Sequence, residues 1–499
     1  MMADTSSNFS RDNSLAYTIR DTTPAIRKGP STVERPANRP KITVVIPRGE
    51  VIRNFAHSGA LDLLKASADV SLITVKPKNS AQLLSRLSED IYPLKEINEH
   101  RIVRLQREIL DMAHGRWLWS RAAQFRWRER DKEARTGAKK AARLTKKALC
   151  MPFANRIGLK ALSRLERMSS YMLRTTDEYV NLMREVRPDV VFNGSHIHSR
   201  NAIQAVQAAQ WLGITTATFI FSWDNLTSQG RILLPYDHYI VWSDKLKSQL
   251  LKMYDWIEPS KVHVTGTPQF DFHFRSDLYT SRDEFCRRHR VDPTRPIVLY
   301  TTGMSNHMPG EPEIVAEIAD MLTEYPDGSR PQLMVRVYPK DLSGRFDELK
   351  KRRRDIRFLD VAWDKDWLTP GEVDAKDLVN TLRHCDLGIN IASTISLELC
   401  MFEKPVINVG YNPASIPESF VSFREYYDFD HYAPVAASGA IEVAFDRHQM
   451  RKMIANALTD PERLSTRRKL LIEDMFGDML DGNSARRVSD VLLSIASKC

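Results

Sequence analysis

At 499 residues, with 42% hydrophobic and 9% aromatic content, the chain is too long for one ordinary core and suits two soluble α/β domains with additions. No run approaches the roughly 18 apolar residues that span a bilayer, and five scattered cysteines without a Cys-x-x-Cys pair exclude a disulfide framework and a zinc site. Residues 101–150 hold 15 Lys/Arg against five Asp/Glu, a surplus equal to the chain's whole net charge of +10, so one segment carries the positive field and the rest is balanced.

Residues 1–40 are polar and rich in Ser, Thr, Asn, Arg and Pro without periodicity, which predicts a disordered leader. No basic-then-apolar signal pattern opens the chain, so a cytoplasmic location is expected. From Lys41, the β-branched run Ile42, Val44, Val45 and Ile46 stops at Pro47 and predicts a buried strand. A helical stripe (Ile52, Phe55, Leu61, Leu64) and a second strand from Val70 to Val75 complete a β-α-β unit. Residues from about 83 to 173 turn long, helical and basic, with Trp117, Trp119, Phe125 and Trp127 interleaved among arginines. The α/β rhythm returns at Pro188, so residues 41–265 are expected to form one Rossmann-like domain carrying a basic helical insertion. After a hinge at Gly266-Thr267-Pro268, residues 266–499 repeat the rhythm and end in helices that could pack back on the first domain.

The most informative stretch runs Cys385-Asp386-Leu387-Gly388-Ile389-Asn390-Ile391-Ala392-Ser393-Thr394-Ile395-Ser396-Leu397-Glu398, then Lys404-Pro405-Val406-Ile407. It reads strand, small polar turn, helix, strand. Ser393 and Thr394 stand where backbone N–H groups and hydroxyls hold phosphate oxygens, and Glu398 follows about one turn later, placed to accept from a ribose diol. An N-capped helix before a buried strand is the plainer alternative. Arg336 and Lys340 end another strand and offer fixed cations for a leaving diphosphate, work that otherwise needs a metal; their alternative is a pair of solvated charges. The loop after Phe221 sets Trp223 beside Asp224 and Asn225, an aromatic face next to a carboxylate that suits a sugar ring. Asp224 is the first choice of general base, with turn capping the alternative. His196 follows another strand end and is placed along the same cleft, without a third ligand that would make a metal site.

The 385–406 stretch resembles the nucleotide-sugar site of GT-B enzymes, in particular UDP-N-acetylglucosamine 2-epimerases and the glycerophosphotransferase and capsule-polysaccharide transferase groups. Val335-Arg336-Val337-Tyr338-Pro339-Lys340-Asp341 resembles their Arg-x-His-Pro-x-Asp segment, with tyrosine in place of histidine. Val264-Thr265-Gly266-Thr267-Pro268-Gln269-Phe270-Asp271 resembles their interdomain Thr-Gly-x-Pro-x-x-Asp segment. The resemblance implies two facing Rossmann-like domains and a metal-independent transferase without a cofactor. Its donor would be a nucleotide-activated sugar, and its acceptor an envelope polysaccharide or a lipid-linked glycan. It also implies that the loop after the first strand faces the other domain, with Arg53 and Asn54 contacting phosphate or acceptor and Glu50 as second choice of base. A nucleotide-sugar epimerase, a glycerophosphotransferase and a non-catalytic binding or scaffold protein are the alternatives. For residues 101–150, a solvated hairpin with its tryptophans inward, an anionic membrane surface and a polyanionic acceptor are all open; the resemblance favours the membrane over nucleic acid.

Overall fold

The computed structural model describes residues 39–75, 81–361, 363–364, 369–418 and 420–499. The leader assigned to residues 1–40 lies, apart from Arg39 and Pro40, outside them.

The first sheet contains β1 (Lys41–Ile46), β2 (Asp69–Thr74), β3 (Ile91–Pro93), β4 (Val190–Asn193), β5 (Thr215–Phe219), β6 (His238–Val241) and β7 (Val262–Val264). All pair in parallel, in the order β3-β2-β1-β4-β5-β6-β7. The second contains β8 (Ile297–Thr301), β9 (Gln332–Arg336), β10 (Ile356–Phe358), β13 (Leu387–Asn390), β14 (Val406–Val409) and β15 (Glu442–Ala444); a separate hairpin joins β11 (Trp363–Asp364) to β12 (Thr369–Pro370). Its order is β10-β9-β8-β13-β14-β15, again all parallel. Both sheets are doubly wound and covered by helices, so their central strands are buried on both faces, as in β1, where Ile42 to Ile46 are all buried and the Thr43 hydroxyl is satisfied by Ser71 Oγ at 2.7 Å. Two Rossmann-like domains result, as the sequence predicts.

Each sheet reverses its winding once, at β1/β4 and at β8/β13, and ligands of such sheets bind outside the carboxyl ends at that reversal. The two reversals look at each other, because the segments leaving β1 and β9 touch across the gap. Close approach at the first reversal depends on Gly194. A Cβ there would stand 2.5 Å from Val51 Cγ1, in the helix that follows β1.

Two devices fix the domains together. The terminal helix Ser484–Ala496 packs on the first domain, where Ser489 Oγ donates to the carbonyl of Ala60 at 2.7 Å. Its amino end is held by Asp271, whose carboxylate accepts the N–H groups of Ser484 (3.1 Å) and Ala485 (2.7 Å), a favourable placement of negative charge at a helix start. Gly266 beside it has φ +78°, and a Cβ would meet Ser484 Oγ at 2.4 Å, so only glycine fits.

The basic insertion supplies the second device. Its helices span Arg101–Leu118, Arg121–Glu133, Gly137–Cys150 and Arg156–Met172. They share a small core in which Trp117 and Trp127 pack against Met112 and Leu159. The second helix reaches the other domain: Phe125 meets Tyr426 and Phe429 at 6.0 and 5.3 Å between ring centroids. Arg126 on the same helix donates to the carbonyls of Thr227, Ser228 and Gln229.

Candidate functional site between the two sheets

The cleft wall from the first domain starts where β1 ends. Gly49–Ile52 is one helical turn, and Arg53–His57 continues it as a wider π-helical turn, a local form that recurs at functional sites. Glu50 is buried and forms an ion pair with Lys340 of the second domain; its Oε2 has no partner. Arg53 donates from Nη2 to Gln269 Oε1 at 2.6 Å and from Nε to Asn54 Oδ1 at 3.3 Å. Burial lowers the Arg53 pKa, and the carboxylates of Glu398 and Asp374 oppose that. Asn54 is fully buried, with an unpaired amide nitrogen.

Facing Arg53 is the turn after β13. Ala392 takes φ +40°, an uncommon conformation for alanine, which swings Ser393 and Thr394 to the mouth of the helix Ile395–Met401. A buried network braces the turn from below. Ser396 Oγ lies 2.9 Å from Asn390 Oδ1, Asn408 Nδ2 donates to the same oxygen at 2.9 Å, and Tyr432 OH donates to Asn408 Oδ1 at 2.6 Å. Ser393 and Thr394 are half-buried, and Thr394 meets Trp223 of the first domain. Glu398, one turn on, accepts from His273 Nε2 at 2.9 Å. Arg53, Gln269, Phe272, His273, Asp374 and Glu398 line one opening between the domains.

Several sequence expectations are corrected here. Arg336 is no free cation: it is buried, and its Nη2 meets Asp374 Oδ1 at 2.7 Å, while Asp374 Oδ2 accepts from Trp363 Nε1 at 2.8 Å. The pair is closed because a lone buried charge is costly. Asp224 is tied into its own turn, accepting from Ser228 Oγ at 2.6 Å and Asn225 Nδ2 at 3.3 Å, side-chain partners rather than a backbone cap. Trp223 stands between the domains but is no open sugar platform. It is buried, His431 approaches its ring edge to face at 5.5 Å, and its Nε1 donates to Thr394 Oγ1 at 3.0 Å. His196 is a core histidine: its Nδ1 accepts the Phe221 N–H at 3.2 Å, and burial pushes its pKa down to about 4. Lys340 does reach the cleft. Burial, with Arg48 adding to it, pulls its pKa from 10.5 down to about 8.

Sequence reasoning missed His273, Gln269 and Asp374. The first two lie on or just past the interdomain segment already singled out, so His273, two residues after Asp271, was within reach. Asp374 follows no motif and is found only through its contacts. Among the described residues, no group of three or more His, Cys, Asp or Glu is placed to hold a metal ion.

The architecture is a GT-B-type fold, two Rossmann-like domains facing each other across their carboxyl edges. No protein-family model matches the sequence, and a search of curated proteins finds no match. Solved structures do match. The UDP-GlcNAc 2-epimerase of Methanocaldococcus jannaschii is similar at TM-score 0.51 and 12% identity, over 91% of this chain and 99% of that one. S. aureus MnaA, solved with UDP, gives 0.51 and 13% over 91% and 96%. The Neisseria meningitidis UDP-GlcNAc 2-epimerase, solved with UDP-GlcNAc, gives 0.50 and 12% over 91% and 99%. At these identities the likeness is one of fold.

Proposed function

We propose that this chain is a metal-independent transferase that moves a glycosyl group from a nucleotide-activated donor to an envelope polysaccharide or lipid-linked acceptor. The observation that carries the reading is the Glu398–His273 pair lining an opening at the sheet reversal, with Arg53 of the other domain on its far side. Glu398 would accept from the ribose diol, held in orientation by His273. Ser393 and Thr394 would take the diphosphate at the helix mouth, with Lys340 and Arg53 supplying the positive charge once assigned to Arg336. In transfer, the acceptor oxygen forms a bond to the anomeric carbon as the bond to the diphosphate oxygen breaks. The acceptor proton passes to a carboxylate. Glu50 suits that task better than Asp224, because its Oε2 is unpartnered while both Asp224 oxygens are engaged.

A second reading, epimerisation of the donor sugar, is favoured by the solved epimerases that share the fold. Product analysis separates the two. Incubation with UDP-N-acetylglucosamine alone is expected to return it unchanged at C2, followed by proton NMR; accumulation of the epimer without acceptor would replace the transferase reading.

Lys340 gives the site a pH signature. Its folded pKa of about 8 lies below the ordinary 10.5, so the folded chain binds fewer protons than the unfolded one between those values, and this residue's contribution to stability rises with pH there. Its cation, and with it the Glu50 ion pair, is present below about 8 and lost above it. Affinity for UDP is therefore expected to fall as pH rises through about 8, and Lys340→Arg to shift that limb upward, since a guanidinium stays charged. A profile flat across that window would remove Lys340 from the diphosphate site.

A further inference from the structure

Eleven of the seventeen large apolar side chains that stand exposed among the described residues lie between Ile102 and Met172. They are not scattered. On the fourth insertion helix, Ile157, Leu165, Met168 and Met172 are exposed, Ile157 by 82% and Met172 by 73%. Exposed Ala161 falls between them, and the spacing i, i+4, i+8, i+11, i+15 makes one stripe along the helix. The opposite stripe, Leu159, Leu162 and Glu166, is buried.

The third insertion helix is arranged the same way. Leu144 and Leu149 face outward with Ala141 and Ala148, whereas Arg143 and Lys147 turn inward and bind Asp131 at 2.9 and 2.6 Å. A solvated helix would present the reverse. Both helices pack on the first insertion helix and turn an apolar stripe outward, and exposed apolar surface of this kind marks an interaction site.

Charge selects the occupant. Residues 134–172 contain ten Lys/Arg and a single acidic residue, Glu166, which is buried against Arg107 at 2.6 Å. The rim of the apolar stripe, including Lys139, Lys140, Lys160 and Arg164, is exposed. Two copies meeting face to face would press these basic rims together. An anionic surface would neutralise them.

We propose that the third and fourth insertion helices form a docking surface for an anionic phospholipid bilayer, with the apolar stripe at the headgroup boundary and the basic rim on the headgroups. This moves the membrane contact away from the tryptophan-rich part of residues 101–150, where Trp117 and Trp127 pack inward. No helix among the described residues is long and apolar enough to cross a membrane, so the contact is peripheral. The inference stands apart from the reaction assigned above and is tested without any donor.

The test is co-sedimentation of the full chain with vesicles of phosphatidylcholine alone, or of phosphatidylcholine and phosphatidylglycerol in equal parts. Binding is expected to the mixed vesicles only and to weaken with added salt. Leu165→Asp with Met168→Asp, and separately Lys160→Glu with Arg164→Glu, are each expected to lower partitioning by about tenfold or more, with the unfolding midpoint unchanged because the sites are exposed. Equal partitioning of the variants, or none of the parent chain on mixed vesicles, would overturn the proposal. So would a lipid-free dimer in sedimentation equilibrium that the Leu165/Met168 pair of substitutions abolishes, since the stripe would then be a self-association face.

Discussion

Replacing Asp374 by alanine is expected to destabilise the protein by about 3–5 kcal/mol, among the largest effects any single substitution here should have. Asp374 is 4% exposed and its partner Arg336 is 6% exposed, so the substitution strands a guanidinium where water cannot reach it. It also removes the acceptor for Trp363 Nε1. Asp374→Asn should cost less, because an amide oxygen still accepts from one of the two donors. Urea unfolding of both variants checks this. A loss below about 1 kcal/mol for the alanine variant would mean that Arg336 finds water or another acceptor instead, and that the pair is not the closed one argued above.

Glu398→Ala is expected to weaken UDP binding about 10- to 150-fold, the range for hydrogen bonds to a charged group of about 1.5–3 kcal/mol. Calorimetric titration with UDP reads it directly. Glu403→Gln, an exposed acid past the end of the same helix, is the control and should leave affinity unchanged. Since His273 Nε2 donates to Glu398, His273→Ala should weaken binding less, by loosening a carboxylate that is still present. Unchanged affinity in Glu398→Ala would remove the ribose role and with it the orientation proposed for the donor.

Charge economy explains why the fold engages some of the candidate polar groups internally and leaves others between the domains. Lys340 and Glu398 are seen from sequence as polar residues at strand and helix ends; Glu398 lines the opening, and Lys340 meets Glu50 of the other domain. Arg336 looks identical by that criterion. Its fate depends on Asp374, 38 residues away on another element, which no local pattern announces. Asp224 and Trp223 show the same blindness. Their loop does stand between the domains, but Ser228 and Thr394 engage the polar atoms that the sequence offers to substrate. His196 was misplaced for a different reason: a histidine after a strand reads alike whether it points to solvent or into the core, and only burial separates the two.

By itself, the sequence determined the two doubly wound sheets. Unbroken β-branched runs at strand length, alternating with helical stripes, leave a parallel buried sheet as the one way to cover every apolar face. Local pattern also placed the turn after β13 and concentrated the positive charge in one insertion. Tertiary structure alone decided which charges are free. An ionised group deep in a protein must find a counterion or a donor, and the nearest one in space is seldom near in sequence. It likewise turned the basic helices so that Arg143 and Lys147 satisfy Asp131 and their apolar side faces out, an outcome that helical periodicity cannot sign, because it gives the stripe but not the direction in which it points.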